Sequence, residues 1–427
     1  MHEKFRWAWL CAVLAGIGLA TLASAGGVGG PTDLGEKKVE KFRKLRPTTE
    51  WSLLVKGGRK VEEGDKRNIR LAAEVLVWQT SWRTNPKKMD DVRKEFEQEM
   101  ATLLNKENRD KNKDFRKHFA KELVACFKEV FALPFDENKL GCQNAAILLP
   151  SLARLQEEEI GDLLTDLIRD PKQHDAVKLY ALKGLAAYFP AYEWTVVPPK
   201  DSSGNVIPDA RKQKYIERIQ ALLDFLDRTW ESNKADDDAI RFLRREAIRT
   251  LAQAQVPAVE VTKDKVFAPV AQRLVQILDP KTKMTPAPSL QEKVEAAIGI
   301  CQIKVIPNTL YLPDEGIYRV GTFLVDFAIA YKKDRGDFSG VSATRKIPLI
   351  PWKIESERLL QALELQVKNN EIKKAKVLRD AAQPYLSPMK KHADLDRRPK
   401  ELGEEVDSMR PKTAGIYQGI KPADSDK

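Results

Sequence analysis

The chain has 427 residues, a formal net charge of +11, 42% hydrophobic and 32% charged residues, 22 Gly, 24 Pro and 4 Cys. That hydrophobic fraction excludes a wholly disordered chain, ordinary Gly and Pro exclude collagen-like and low-complexity classes, and four Cys exclude a disulfide scaffold. The abundance of Leu, Ala, Lys, Glu and Arg favours helix over strand.

Residues 1–25 read as an address. Lys4 and Arg6 form a basic start, Trp7 to Leu22 is an uncharged apolar run, and Ala23-Ser24-Ala25 is a small-x-small cleavage site. Together these predict a signal peptide cut before Gly26, and hence an exported chain, periplasmic or extracellular. The alternative is an uncleaved anchor, since the run nearly reaches the roughly 20 residues that span a bilayer. Residues 26–66 are expected to be a leader. The mature chain keeps Cys126, Cys142 and Cys301. Cys126 and Cys142 flank a turn, so a disulfide there is one reading; three buried thiols is the preferred one.

Helical spacing then dominates. Asn68 to Trp78, Asp90 to Leu104, Phe115 to Phe131, Gly141 to Leu155 and Ile160 to Arg169 carry apolar residues every three or four positions. After that the chain repeats a pattern: a basic residue, Ala three later, a large aliphatic four beyond. Lys178, Ala181 and Leu185 match Arg244, Ala247 and Leu251, and then Lys293, Ala296 and Ile300. Asp170-Pro171 and Asp279-Pro280 precede two of the copies, and Asn144 to Leu149 is an earlier, weaker one.

This pattern resembles the HEAT-like (armadillo-related) helical repeat family, best at Val177-Lys178-Leu179-Tyr180-Ala181. The resemblance covers roughly residues 141–302. It implies antiparallel helical hairpins stacked into an all-α, irregular solenoid, expected here over residues 67–331. The spacing departs from the family: Ala181 to Ala247 is 66 residues and Ala247 to Ala296 is 49, against units of about 40–47. In the family the basic position meets acidic residues of neighbouring turns, which makes Asp170, Asp175 and Asp279 the expected partners of a structural ladder Lys178, Arg244 and Lys293.

Two insertions interrupt the repeat, Tyr192 to Pro208 and Ala254 to Thr262. The first carries Tyr192 and Trp194 beside Pro198-Pro199 and is the candidate partner-binding loop; its alternative is a Trp194 that seals the core. Val320 to Tyr331 is apolar almost all round and is expected to be a well-buried helix. Residues 332–385 are expected to be a linker and one C-terminal helix, Pro351 to Ala382, and residues 386–427 a disordered tail.

Chemistry is sparse. His118, His174 and His392 lack companions at metal-ligand spacing, so no metal is expected. There is no nucleophile elbow, phosphate-cradling Gly loop or dinucleotide fingerprint, so neither cofactor nor catalysis is expected. Lys56-Gly57-Gly58-Arg59 reads as a plain turn, and Glu157-Glu158-Glu159 and Asp236-Asp237-Asp238 as helix starts. Positive charge is dispersed, so nucleic acid is not expected. The sequence therefore points to an exported non-catalytic scaffold with a protein partner. The alternatives are weak binding to an anionic envelope polymer or membrane surface, and an enzyme with an unfamiliar site.

Overall fold

The computed structural model describes residues 36–81, 87–189, 210–228, 237–255, 260–262, 265–266, 270–304, 312–339, 351–370, 372–391, 393 and 395–411. Residues 1–25, expected to be a signal peptide, residues 192–208 and residues 412–427 lie outside them. The protein is all-α and solenoid-like, with sixteen helices among the described residues. In order they are α1 Glu36–Leu45, α2 Thr49–Lys56, α3 Glu63–Trp78, α4 Met89–Leu103, α5 Lys113–Ala132, α6 Lys139–Ala153, α7 Glu158–Arg169 and α8 Asp175–Tyr188. There follow α9 Ala210–Asp227, α10 Asp237–Gln253, α11 Val270–Leu278, α12 Leu290–Gln302, α13 Pro313–Ser339, α14 Trp352–Asn370, α15 Lys373–Lys390 and α16 Pro399–Ser408. The one sheet among the described residues is a two-stranded antiparallel ribbon, β1 Glu260–Thr262, at the end of the second insertion, with β2 Lys265–Val266 just after it.

Local chemistry sets several helix ends. Thr48 accepts the Trp51 N–H and starts α2. Gly57 ends it in the left-handed region, φ 72°, where a Cβ would lie 2.2 Å from the Lys111 carbonyl carbon. The Gly pair is thus a turn that the 104–112 loop crosses closely. Ser289 and Glu292 form a reciprocal capping box at the start of α12.

The helices pack as two rows. Even-numbered helices form one continuous file, with α2 on α4, α4 on α6, and so on to α12 on α14. Odd-numbered helices flank it: α1 to α9 pack successively, as do α11, α13 and α15. Each helix has one apolar face, too little to be stable alone, and each is covered by its hairpin partner and by the next helix of its row. Ala181, Ala247 and Ala296 sit in the even row and are fully buried, as are Leu185, Leu251 and Ile300. At Gly299 on α12, a Cβ would come within 2.8 Å of Ala252 Cβ on α10, so the missing side chain permits that approach.

Three expectations need correction. The stretch expected to be a leader, residues 26–66, carries part of the packed fold: α1 and α2 lie in it, and Phe42 and Trp51 pack edge-to-face at 6.2 Å, with Trp51 on Phe115 at 5.4 Å. The region after residue 332 holds two helices, α14 and α15, packed as a hairpin. The tail contains α16, whose Leu402 and Val406, with Met409 just after it, are buried; three apolar residues at helical spacing suffice because α13 offers a ready face. In α13, Val320, Phe323, Leu324, Phe327, Ala328 and Tyr331 are buried as expected, while Ile329 is 52% exposed.

Candidate functional site

The even row is registered by charge. Arg241, Arg245 and Arg249 recur every four residues and so share one face of α10. Arg241 Nε donates to the Ala287 carbonyl at 3.3 Å, Arg245 Nη1 to Gln291 Oε1 at 2.8 Å, and Arg249 Nη2 to Glu295. Each pair is 46 residues apart in sequence. Both members ascend together, so α10 and α12 run parallel in a unit of that length. Arg358 on α14 continues the seam, its Nη2 donating to Glu295 Oε2 at 2.6 Å.

Arg244 lies inside this seam. It is 1% exposed, and its Nε donates to Oε1 of Glu292 at 2.8 Å. Glu292 is fully buried, and its Oε2 accepts the Ser289 N–H at 2.7 Å. One carboxylate therefore caps α12 and holds the arginine of the previous unit.

The guanidinium of Arg244 lines a cleft of about 690 Å³ between the end of α9, α11 and the turn 279–285. Among the described residues, five cations line it, Arg228, Arg244, Arg273, Lys281 and Lys283, against two carboxylates, Asp227 and Asp279. Both carboxylates are engaged. Asp227 pairs with Arg273; Asp279 accepts the Lys281 N–H at 2.8 Å and lies 3.8 Å from Arg319 Nη1. Among the described residues, Arg244 Nη2 and Arg273 Nε are buried with no acceptor. The crowding registers on the cations themselves. Burial pushes Arg273 below the ordinary arginine value; Asp227 opposes this and Arg244 adds to it. Burial also lowers Lys178 on α8, helped by the charge of Arg228 and opposed by Asp175 and Asp170.

The expected ladder is thus rearranged. Lys178 and Arg244 are both buried on the even row, but Lys293 is only half-buried. Arg244 finds Glu292, not Asp279, because Glu292 on the next even helix faces it directly while Asp279 is turned to its own loop. Lys178 feels Asp170 and Asp175 electrostatically but makes no ion pair within 4.0 Å among the described residues. Tyr192 and Trp194 lie outside the described residues. Sequence reasoning missed Glu292, Arg273 and Arg228. Ser289-x-x-Glu292 is legible as a capping box, but its second role depends on which helix lies beside it.

Elsewhere the chemistry is structural. Cys126, Cys142 and Cys301 are free and buried, and burial pushes the Cys126 and Cys301 thiols up to about 12. His174 caps α8, its Nδ1 accepting the Ala176 N–H at 3.1 Å, and stacks on Phe135 at 3.7 Å. Glu157 pairs with Arg116 and Glu158 with Arg218. No cluster of three or more His, Cys, Asp or Glu disposed to hold a metal occurs among the described residues. No family model matches the chain, and no curated protein or solved structure does.

Proposed function

We propose that this chain is an exported, non-catalytic scaffold, a HEAT-like solenoid that binds a protein partner along its rows of helices. The observation that carries the reading is the unbroken even row from α2 to α14. Stacked hairpins of this kind present a long, stiff surface in which each helix contributes a strip, the geometry suited to holding an extended partner. The argument is one of architecture. Export rests on the sequence of residues 1–25; among the described residues no helix is long and apolar enough to cross a membrane.

The test begins with proximity labelling by the full chain in its own compartment, followed by reconstitution with the purified leading candidate. A stoichiometric complex with a Kd of about 10 µM or tighter supports the reading. Failure of every enriched candidate to bind in isolation overturns it. N-terminal sequencing of the mature protein tests export separately: it should start at Gly26, and a chain that keeps Met1 and stays in membranes overturns that part.

A further inference from the structure

We propose that the cleft bounded by α9, α11 and the turn 279–285 is a binding site for a phosphorylated small molecule. The inference is independent of the scaffold reading, because it asks nothing of a protein partner.

Arg244 is the built part of the site. It is 1% exposed and oriented from behind by Glu292 through Nε, at 2.8 Å. Arg244 lines the cleft, and its Nη2 is buried without an acceptor among the described residues. A buried charged donor with no acceptor costs free energy that a fold ordinarily avoids. Here the guanidinium is held through Nε while Nη2 keeps an unused donor at the wall of the cleft, an arrangement suited to binding a ligand. Arg273 Nε, on the adjoining wall, is in the same condition.

The charge of the lining names the ligand class. Asp227 and Asp279 are satisfied by Arg273, Arg319 and the Lys281 N–H. Among the described residues, cations outnumber carboxylates in the lining, and the exposed Lys281 and Lys283 add to Arg244 and Arg273. Donors approach from different elements: Arg244 from α10, Arg273 from α11, and Lys281, Lys283 and the hydroxyls of Thr282 and Thr285 from the turn. A carboxylate has two oxygens in a plane and one charge. A phosphoryl group has three oxygens in a tripod and nearly two charges, which matches this lining better. The volume, about 690 Å³, leaves room for an organic body, and small-molecule sites run to roughly 300–1,000 Å³. Leu226 and Met284 give that body an apolar wall. The recessed position of Arg244 favours a soluble ligand over a lipid headgroup held in a bilayer.

The test uses calorimetry on the full mature chain with inorganic phosphate and glucose 6-phosphate, and with glucose and acetate at matched ionic strength as controls. Saturable one-to-one binding of the phosphate ester at about 1 mM or tighter, with no response to glucose or acetate, supports the site. Two variants locate it. Lys281→Ala with Lys283→Ala changes exposed side chains only and should weaken glucose 6-phosphate by about tenfold, as expected for charged hydrogen-bond donors. Arg244→Met with Glu292→Leu removes the buried pair together and should abolish binding; if that variant does not fold, the lysine variant alone decides. Binding no stronger than that of acetate, or unchanged in the lysine variant, overturns the proposal. So does binding confined to phosphatidylglycerol vesicles, which assigns the charge to a membrane surface.

Discussion

Two arginines are buried to the same degree in neighbouring layers of this protein, and they are treated differently. Arg218 on α9 is 2% exposed and held by several partners, while its Nε has no acceptor among the described residues. Its Nη2 donates to Glu158 Oε2 at 2.8 Å and Asp162 Oδ1 at 3.2 Å, its Nη1 to the Tyr188 hydroxyl at 3.3 Å, and its plane lies 4.7 Å from the Tyr188 ring centroid. Arg244 on α10 has one carboxylate, on Nε, and no acceptor for Nη2 among the described residues. Both arginines join helices and both leave one buried nitrogen unmatched, but of the two Arg244 is the one that lines the cleft. Neither burial nor one unmatched donor alone distinguishes a structural charge from a binding one. An adjoining cleft does.

The comparison breaks most readily at Glu292. Glu292→Ala strands Arg244 without a counter-charge and removes the α12 cap, and should cost about 3–5 kcal/mol in urea unfolding. Replacing both residues by apolar ones should recover most of that loss. A loss under about 1 kcal/mol for Glu292→Ala would mean that water reaches Arg244 freely and that the pair is a surface pair. Arg218→Met should cost less, about 1–3 kcal/mol, because it removes hydrogen bonds but leaves carboxylates that water can reach: the Glu158 and Asp162 side chains are 42% and 40% exposed. Equal losses at the two sites would erase the distinction.

The smallest effect is a pH dependence at the seam beside them. Burial by itself raises the Glu295 carboxyl, but hydrogen bonds from Arg358 and Arg249 outweigh it and hold the group below its ordinary 4.5. A depressed carboxyl stabilises the fold above the unfolded value and loses that contribution as pH falls through the folded one. Stability should therefore decline below about pH 4.5, and Glu295→Gln should flatten that decline. An unchanged slope in the variant would place the acid sensitivity elsewhere.

How much of this is legible beforehand depends on the range of the signal. The repeat at Ala181, Ala247 and Ala296 is visible because each helix carries its own period, and all three residues are buried in the even row. Helices α1, α2 and α16 are missed because their apolar stripes are short: Phe42, Trp51 and Leu402 count only when a neighbouring face is present. The basic positions are readable as a series, but their partners are not. Spacing within a helix says which face a side chain is on; it says nothing of which carboxylate arrives there from 48 residues away, as Glu292 does for Arg244. The cleft needs three elements and a turn to coincide, and no local pattern encodes that.

The 46-residue separation of the pairs joining α10 to α12 bears on how such a molecule comes apart. A helix in a row touches its predecessor and its successor, so no contact along the row ties one end of the chain to the other. Pulled from a terminus, the chain should release its hairpins in sequence, each loss exposing the next, and a force–extension trace should be a staircase of small steps with no single rip.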